Sequence, residues 1–287
     1  MRSWLASYGY PALLAGGVAL AGGGMALGYS PPVMAVASVW TMGLFVLAIQ
    51  RLIPLVSAWR SWWPDLGTDL LHASLSTTLG SVLAEVVARG VVVAVLTVLP
   101  TSGPWPRELP WLVQLALAVL LCDLLAYGLH RLSHAWEPLW RLHAMHHSSE
   151  RLHAFSSART HPMYVALTHG LQALPLVLLG AGPEVIALHG AFTGTNGLLQ
   201  HCNADFKLGW LNRWLATCDL HRWHHSTDLL ESQTNFGNNL AVWDRVFGTW
   251  YLPKDRRVPR SVGLETPYPR RWTGQVLAPF RRHPAGR

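Results

Sequence analysis

The sequence predicts an all-α protein. It would be an integral membrane helical bundle of about four transmembrane helices, with a re-entrant or interfacial helical hairpin and a cytoplasmic histidine-rich helical cap. Three observations predict it. Hydrophobic residues make up 51% of the 287 positions and charged residues only 13%, against an ordinary charged share of about 25%. Four long stretches carry almost no charge, and each reaches the roughly 20 residues that a helix needs to cross a bilayer core. Histidines gather in short, regularly spaced groups at the polar ends of such stretches.

The first apolar segment runs from Tyr10 to Tyr29, the second from Met34 to about Leu55. The turn "YSPP" at 29–32 joins them into a hairpin. The third spans about Leu70 to Leu99 with Glu85 and Arg89 inside it, and the fourth Leu109 to Leu129. Gly24 and Gly28 form a G-x-x-x-G pair, a spacing that lets helices approach closely. From Val165 to about Gln200 a further apolar stretch is broken by "GAGP" at 180–183. Its two short halves suggest the re-entrant or interfacial hairpin, with two further spans as the alternative. The chain divides into 1–108, the N-terminal transmembrane helices; 109–252, a histidine-bearing domain; and 253–287, a basic cytoplasmic tail.

The net charge is +7 and the pI about 9.8. The basic residues stand mainly after the apolar segments, as in "PKDRRVPR" and "PRRW", which reads as positive-inside charge. Fifteen tryptophans agree with membrane–water interfaces. Nothing resembles a groove reader or a base-stacking module, so nucleic acid is not an expected partner. Arginine placement puts both termini, the 51–69 loop and everything after His130 in the cytoplasm. Cys122, Cys202 and Cys218 are scattered, which argues against a disulfide framework and a thiolate zinc site. The first segment is too long for a signal peptide.

The run "RLHAMHHSS" supplies His143, His146 and His147; "DLHRWHHSTD" repeats the spacing with His221, His224 and His225. On a helix, positions i, i+3 and i+4 share a face, so each triplet can aim three imidazoles at one point. His130 and His134 add a pair at i, i+4, and His201 stands in "LLQHCN". Nine imidazoles exceed one mononuclear site but would serve two metals at four or five nitrogens each. Imidazole suits zinc, copper, iron and nickel alike. The isolated His72, His153, His169, His189 and His283 read as ordinary core or surface residues. Asp123, Tyr127, His130 and His134 fall on one helical face. A carboxylate there is costly in a membrane and is expected to accept a histidine N–H, fixing its tautomer. Asp219 is a weaker candidate for the same role.

The run "CDLLAYGLHRLSH…LWRLHAMHHSSE…ARTHP…LLQHCN…DLHRWHHSTD…QTNFGNNLAVWDRVFGTW" resembles the fatty acid hydroxylase/sterol desaturase superfamily over about Asp123 to Tyr251. The resemblance implies a membrane oxygenase with a histidine-rich di-iron centre facing the cytoplasm. It implies O2 as cosubstrate and electrons ultimately from NAD(P)H through a separate carrier: cytochrome b5, ferredoxin or a reductase. The substrate would be a bilayer lipid such as a sterol, fatty acyl chain, carotenoid or alkylglycerol, hydroxylated or desaturated. By the resemblance His130, His134, His143, His146, His147, His201, His221, His224 and His225 hold the two iron ions. Some members carry another ligand four residues before the isolated histidine. Gly197 stands there in this chain, so neighbouring Asn196 or His161 of "RTHP" is the candidate for a tenth. Asn235, Trp243, Asp244 and Gly248 lie in the terminal motif and read as packing and support behind the site.

Two other classes compete. A zinc-dependent membrane hydrolase would need fewer ligands and a carboxylate base. A metal transporter would place ligands near the bilayer midplane, and a haem protein would show a Soret band.

Overall fold

A computed structural model gives the structure, which describes residues 1–61, 63–98 and 103–281. His283 and the Leu99 end of the third predicted segment lie outside the described residues. Among those described there is no strand; two isolated bridges, Leu215 with Leu240 and Ser226 with Val262, are the sole extended pairings.

Helix α1 spans Arg2–Ala26 and α2 spans Pro31–Leu52. Pro31 opens α2 because its fixed φ suits the first helical position. The helix stops at Ile53 because Pro54 follows and disfavours helical backbone before it. Gly28 has φ +89, so the turn between the helices needs a residue without Cβ. Gly24 serves packing within the chain: a Cβ there would run into the Met34 side chain.

The third segment starts earlier than expected. Helix α3, Trp63–Leu71, passes through a π-helical turn at His72–Ser76 into α4, Thr77–Val98. Helix α5 spans Trp111–Ala135, so His130 and His134 sit on the same helix as Asp123. Helix α6 is Glu137–His147. The interrupted stretch forms two full helices, α7 at Pro162–Leu179 and α8 at Pro183–His201. "GAGP" does both jobs between them. Gly180 takes φ 84, and the N–H groups of Gly180 and Ala181 return to Val177 and Leu176. Pro183 then starts α8. Helix α9, Cys218–His224, carries the second triplet.

Among the described residues, five helices are long and apolar enough to cross a membrane: Arg2–Ala26, Pro31–Leu52, Trp63–Val91, Trp111–Ala135 and Pro162–Leu179. The four predicted spans are thus joined by α7. Helix α8 packs against α1, α2 and α5, while α4 lies along α7. Tyr10, Val46, Ile49, Phe155, Leu198 and Phe206 form the largest apolar core around it. Tyr10 donates to the Asn196 side-chain oxygen at 2.7 Å, so the first helix is tied to α8. The basic tail folds back over α3: Thr68 donates to the Arg270 carbonyl, and His72 bonds Gln275 at 2.7 Å.

Successive helices alternate in direction. Lys207 N–H donates to the Ala6 carbonyl and Val56 N–H to Asn203, which places the N-terminus, the 53–61 segment and the chain after His201 at one end of the bundle. Trp105 N–H donates to Leu179 and the Arg107 side chain to Gly180, at the other.

Candidate metal centre

Four helix ends converge where the histidines lie. Helix α5 delivers His130 and His134 from its last turns. Extended backbone at Trp136 then reverses the chain into α6, which presents His143, His146 and His147. His201 is the last residue of α8, and α9 adds His221 and His224, with His225 at its end.

The structure brings all nine together in two groups. His130, His134, His143, His147 and His224 form one; His146, His201, His221 and His225 form the other. In each, one ligand atom per residue lies within 4.8 Å of every other. Nε2 of His147 is 3.1 Å from Nε2 of both His134 and His143. In the other group Nε2 of His201 is 3.1 Å from those of His146 and His221, and His225 Nε2 is 3.0 Å from His221 Nε2. The groups adjoin where the His147 and His225 rings stack at 4.5 Å.

Backbone carbonyls set the ring orientations. Nδ1 of His130 bonds the Phe236 carbonyl, that of His224 the Thr234 carbonyl and that of His201 the Gly197 carbonyl, each at 2.8 Å. A carbonyl only accepts, so Nδ1 carries the proton and Nε2 keeps its lone pair. Nε2 of His130 and of His224 is buried with no protein partner. Burial pushes His143, His146, His147, His221, His224 and His225 well below the ordinary value of 6.5, and the neighbouring imidazoles push the same way. Burial thus favours the neutral form of six of the nine rings, and His130, His201 and His224 turn their Nε2 lone pairs toward the centre. That donor set fits a pair of imidazole-binding ions, since one zinc would use only about four of the nine.

A small cleft lined by His134, Trp140, His147, Ser226, Gln233 and Glu265 reaches the five-histidine group. Residues 263–265 of the tail form one wall.

Residues 115–249, which contain all nine histidines, match the model of the fatty acid hydroxylase family. Over 83% of its length the chain is 34% identical to the ornithine lipid hydroxylase OlsE of Rhizobium tropici, covering 72% of that protein. The chain belongs to the fatty acid hydroxylase family. It is also 28% identical to the alkylglycerol monooxygenase of Xenopus tropicalis, over 75% of this chain and 48% of that protein. With the Homo sapiens alkylglycerol monooxygenase it shares 29% identity over 54% of this chain and 34% of that protein. The chain thus spans about a third to a half of these longer relatives. No solved structure matches it.

Several expectations carried over to this family member need correction. Asp123 does not meet a histidine. It accepts the backbone N–H groups of Asn239 at 2.5 Å and Leu240 at 2.9 Å, which lie nearer because the 234–240 loop folds over α5. Asp219 pairs with Arg222 at 3.0 Å and Asn212 at 3.2 Å. His161 lies outside both groups: its Nδ1 accepts from Met163 N–H and caps α7, and its Nε2 faces the Val276 carbonyl. Asn196 is buried against Tyr10 and the Ala216 carbonyl, to which its Nδ2 donates at 3.3 Å.

The terminal motif supports the site largely through its backbone. Thr234 and Phe236 contribute backbone carbonyls to His224 and His130. Asp244 accepts Phe236 N–H at 2.7 Å and Gly237 N–H at 2.8 Å, so it pins the same strip of backbone. Asn235, at φ 54, bonds Leu220, Tyr251 and the Tyr251 N–H. Side-chain identity gives no sign that a carbonyl is the acceptor, so the sequence marks Asn235 and Asp244 as support behind the site without naming the backbone they hold.

Proposed function

We propose that the chain is a membrane-bound lipid monooxygenase that uses two iron ions, O2 and two electrons to hydroxylate a bilayer lipid. As a member of the fatty acid hydroxylase family it is a hydroxylase-like oxidoreductase. The observation that carries the di-iron reading is the division of nine imidazoles into adjoining groups of five and four. Among the described residues each group consists of imidazoles alone. Nine such ligands exceed the three or four that a hydrolytic zinc site takes.

Bound iron would supply the oxidant that an unactivated C–H bond requires. The chain's own residues hold the rings and keep water away. The carbonyls of Gly197, Thr234 and Phe236 fix His201, His224 and His130, and eight of the nine histidines are buried. The rings of Trp140, Tyr164 and Phe236 pack against the five-histidine group and give it an apolar wall. The relatives' names, ornithine lipid hydroxylase and alkylglycerol monooxygenase, support hydroxylation of a polar-headed lipid over desaturation. The two electrons come ultimately from NAD(P)H through a separate carrier: cytochrome b5, a ferredoxin or a reductase. The centre and both termini face the cytoplasm.

Labelled oxygen tests the reaction. Membranes holding the protein, supplied with reductant and isotopically heavy O2, should give a lipid product carrying one heavy oxygen atom. Product oxygen drawn from water would favour hydrolysis and overturn the reading.

A further inference from the structure

Asp69 belongs to α3, ahead of the π-helical turn, and lies outside the stretch that matches the family. It is fully buried. Its Oδ1 accepts from Arg159 Nε at 2.7 Å, and its Oδ2 is 2.8 Å from His153 Nε2. His153 and Arg159 are themselves almost wholly buried. Both belong to the segment 148–161, which leads from His146 and His147 to α7. Arg159 also approaches Asp65 at 3.7 Å, and Asp65 pairs with Arg151 at 2.9 Å nearer the surface.

Burying a carboxylate, a guanidinium and an imidazole together costs desolvation that apolar packing would avoid. Such a cluster is better explained by a position it must fix. Two contacts tie that segment to the four-histidine group. The Gln50 side-chain oxygen accepts Ala154 N–H from the segment at 3.2 Å and Asn203 N–H, two residues after His201, at 3.3 Å. Phe155 of the segment packs in one apolar core with Leu198, Leu199 and Cys202, which flank His201. The five-histidine group has a parallel device, in which Asp244 pins the backbone whose Phe236 carbonyl orients His130.

We infer that Asp69 is a positioning residue for the group His146, His201, His221 and His225. Through Arg159 and His153 it holds the segment that follows His146 and packs beside His201. The inference rests on the two-ion reading above.

The test compares wild type with Asp69→Asn, Asp69→Glu and, as a control in the same ion-pair array, Asp65→Asn. Metal-free protein purified from membranes is titrated with Co2+, and the iron-loaded protein is read by Mössbauer spectroscopy. In Asp69→Asn one ion should bind as in wild type while the affinity for the other falls about 10–100-fold, the usual effect of losing a ligand's support. One of the two iron signals should shift and the other stay. Asp69→Glu should recover part of the loss, and Asp65→Asn should match wild type. Two equivalents bound with wild-type affinity and spectrum in Asp69→Asn would overturn the inference. So would an equal loss at both ions. If Asp69→Asn does not accumulate, His153→Gln keeps the Asp69–Arg159 pair and carries the same expected and contrary results. Wild-type protein binding fewer than two ions would overturn the two-ion reading, and this inference with it.

Discussion

The Asp123 carboxylate on α5 accepts the backbone N–H of Asn239, 116 residues further along the chain, at 2.5 Å. It accepts Leu240 N–H with its other oxygen. Asp123 thus acts on the histidines through the 234–240 backbone, whose carbonyls orient His224 and His130. Asp123→Asn would turn an amide N–H2 toward at least one backbone N–H. Metal retention should fall about 10–100-fold, as for loss of a ligand's support, while the apolar helices still insert. Metal analysis of the purified variant checks this. Wild-type retention would show that the loop holds its place without Asp123.

The helices and the nine histidines were legible because both rest on spacing: apolar length for the spans, i, i+3, i+4 for the triplets. The apolar stretch after Val165 reads as two short halves, either a re-entrant hairpin or two further spans, and it forms helices of 18 and 19 residues. The Gly180 and Pro183 signals mark a boundary without saying how deep each half runs. Asp123 stands out as a carboxylate in an apolar helix, but its backbone N–H partners leave no mark in sequence. His161 looked like a ligand because it is a histidine near the motif; the structure uses it as a helix cap. Asp69 had no signal at all, since its partners His153 and Arg159 lie more than eighty residues away.

His161→Ala should leave metal content unchanged. It removes one acceptor at the start of α7, a change worth roughly 0.5–2 kcal/mol at helix N-termini. Thermal melting beside iron analysis separates the two effects. Loss of an ion in this variant would restore His161 as a ligand.

Membrane topology can be read with single cysteines. The three native cysteines are buried, so background labelling should be low. Ser3→Cys should react only from the cytoplasmic side and Glu108→Cys only from the opposite side. Both sites labelling from one side would contradict the alternation of the helices.

Metal-free protein should lose stability in mild acid. Burial holds six of the histidines well below 6.5 in the fold, and unfolding returns them to the ordinary value. The unfolded chain then binds more protons, so stability is present above about pH 6.5 and is lost as pH falls below it. The melting temperature of apo-protein should be flat near pH 7.5 and decline steadily below about 6.5. A flat profile down to about pH 5 would mean that the rings are hydrated or already paired in the fold.

The division into groups of five and four histidines predicts two ions per chain, and the two triplets should fail together. Metal per chain, measured in purified iron-grown protein beside its O2-dependent lipid hydroxylation, tests this most directly. The account predicts two iron ions per chain in fully active wild type, and near-complete loss of activity in His224→Ala with the helical fold retained. One iron per chain in fully active protein, with activity surviving His224→Ala, would contradict it.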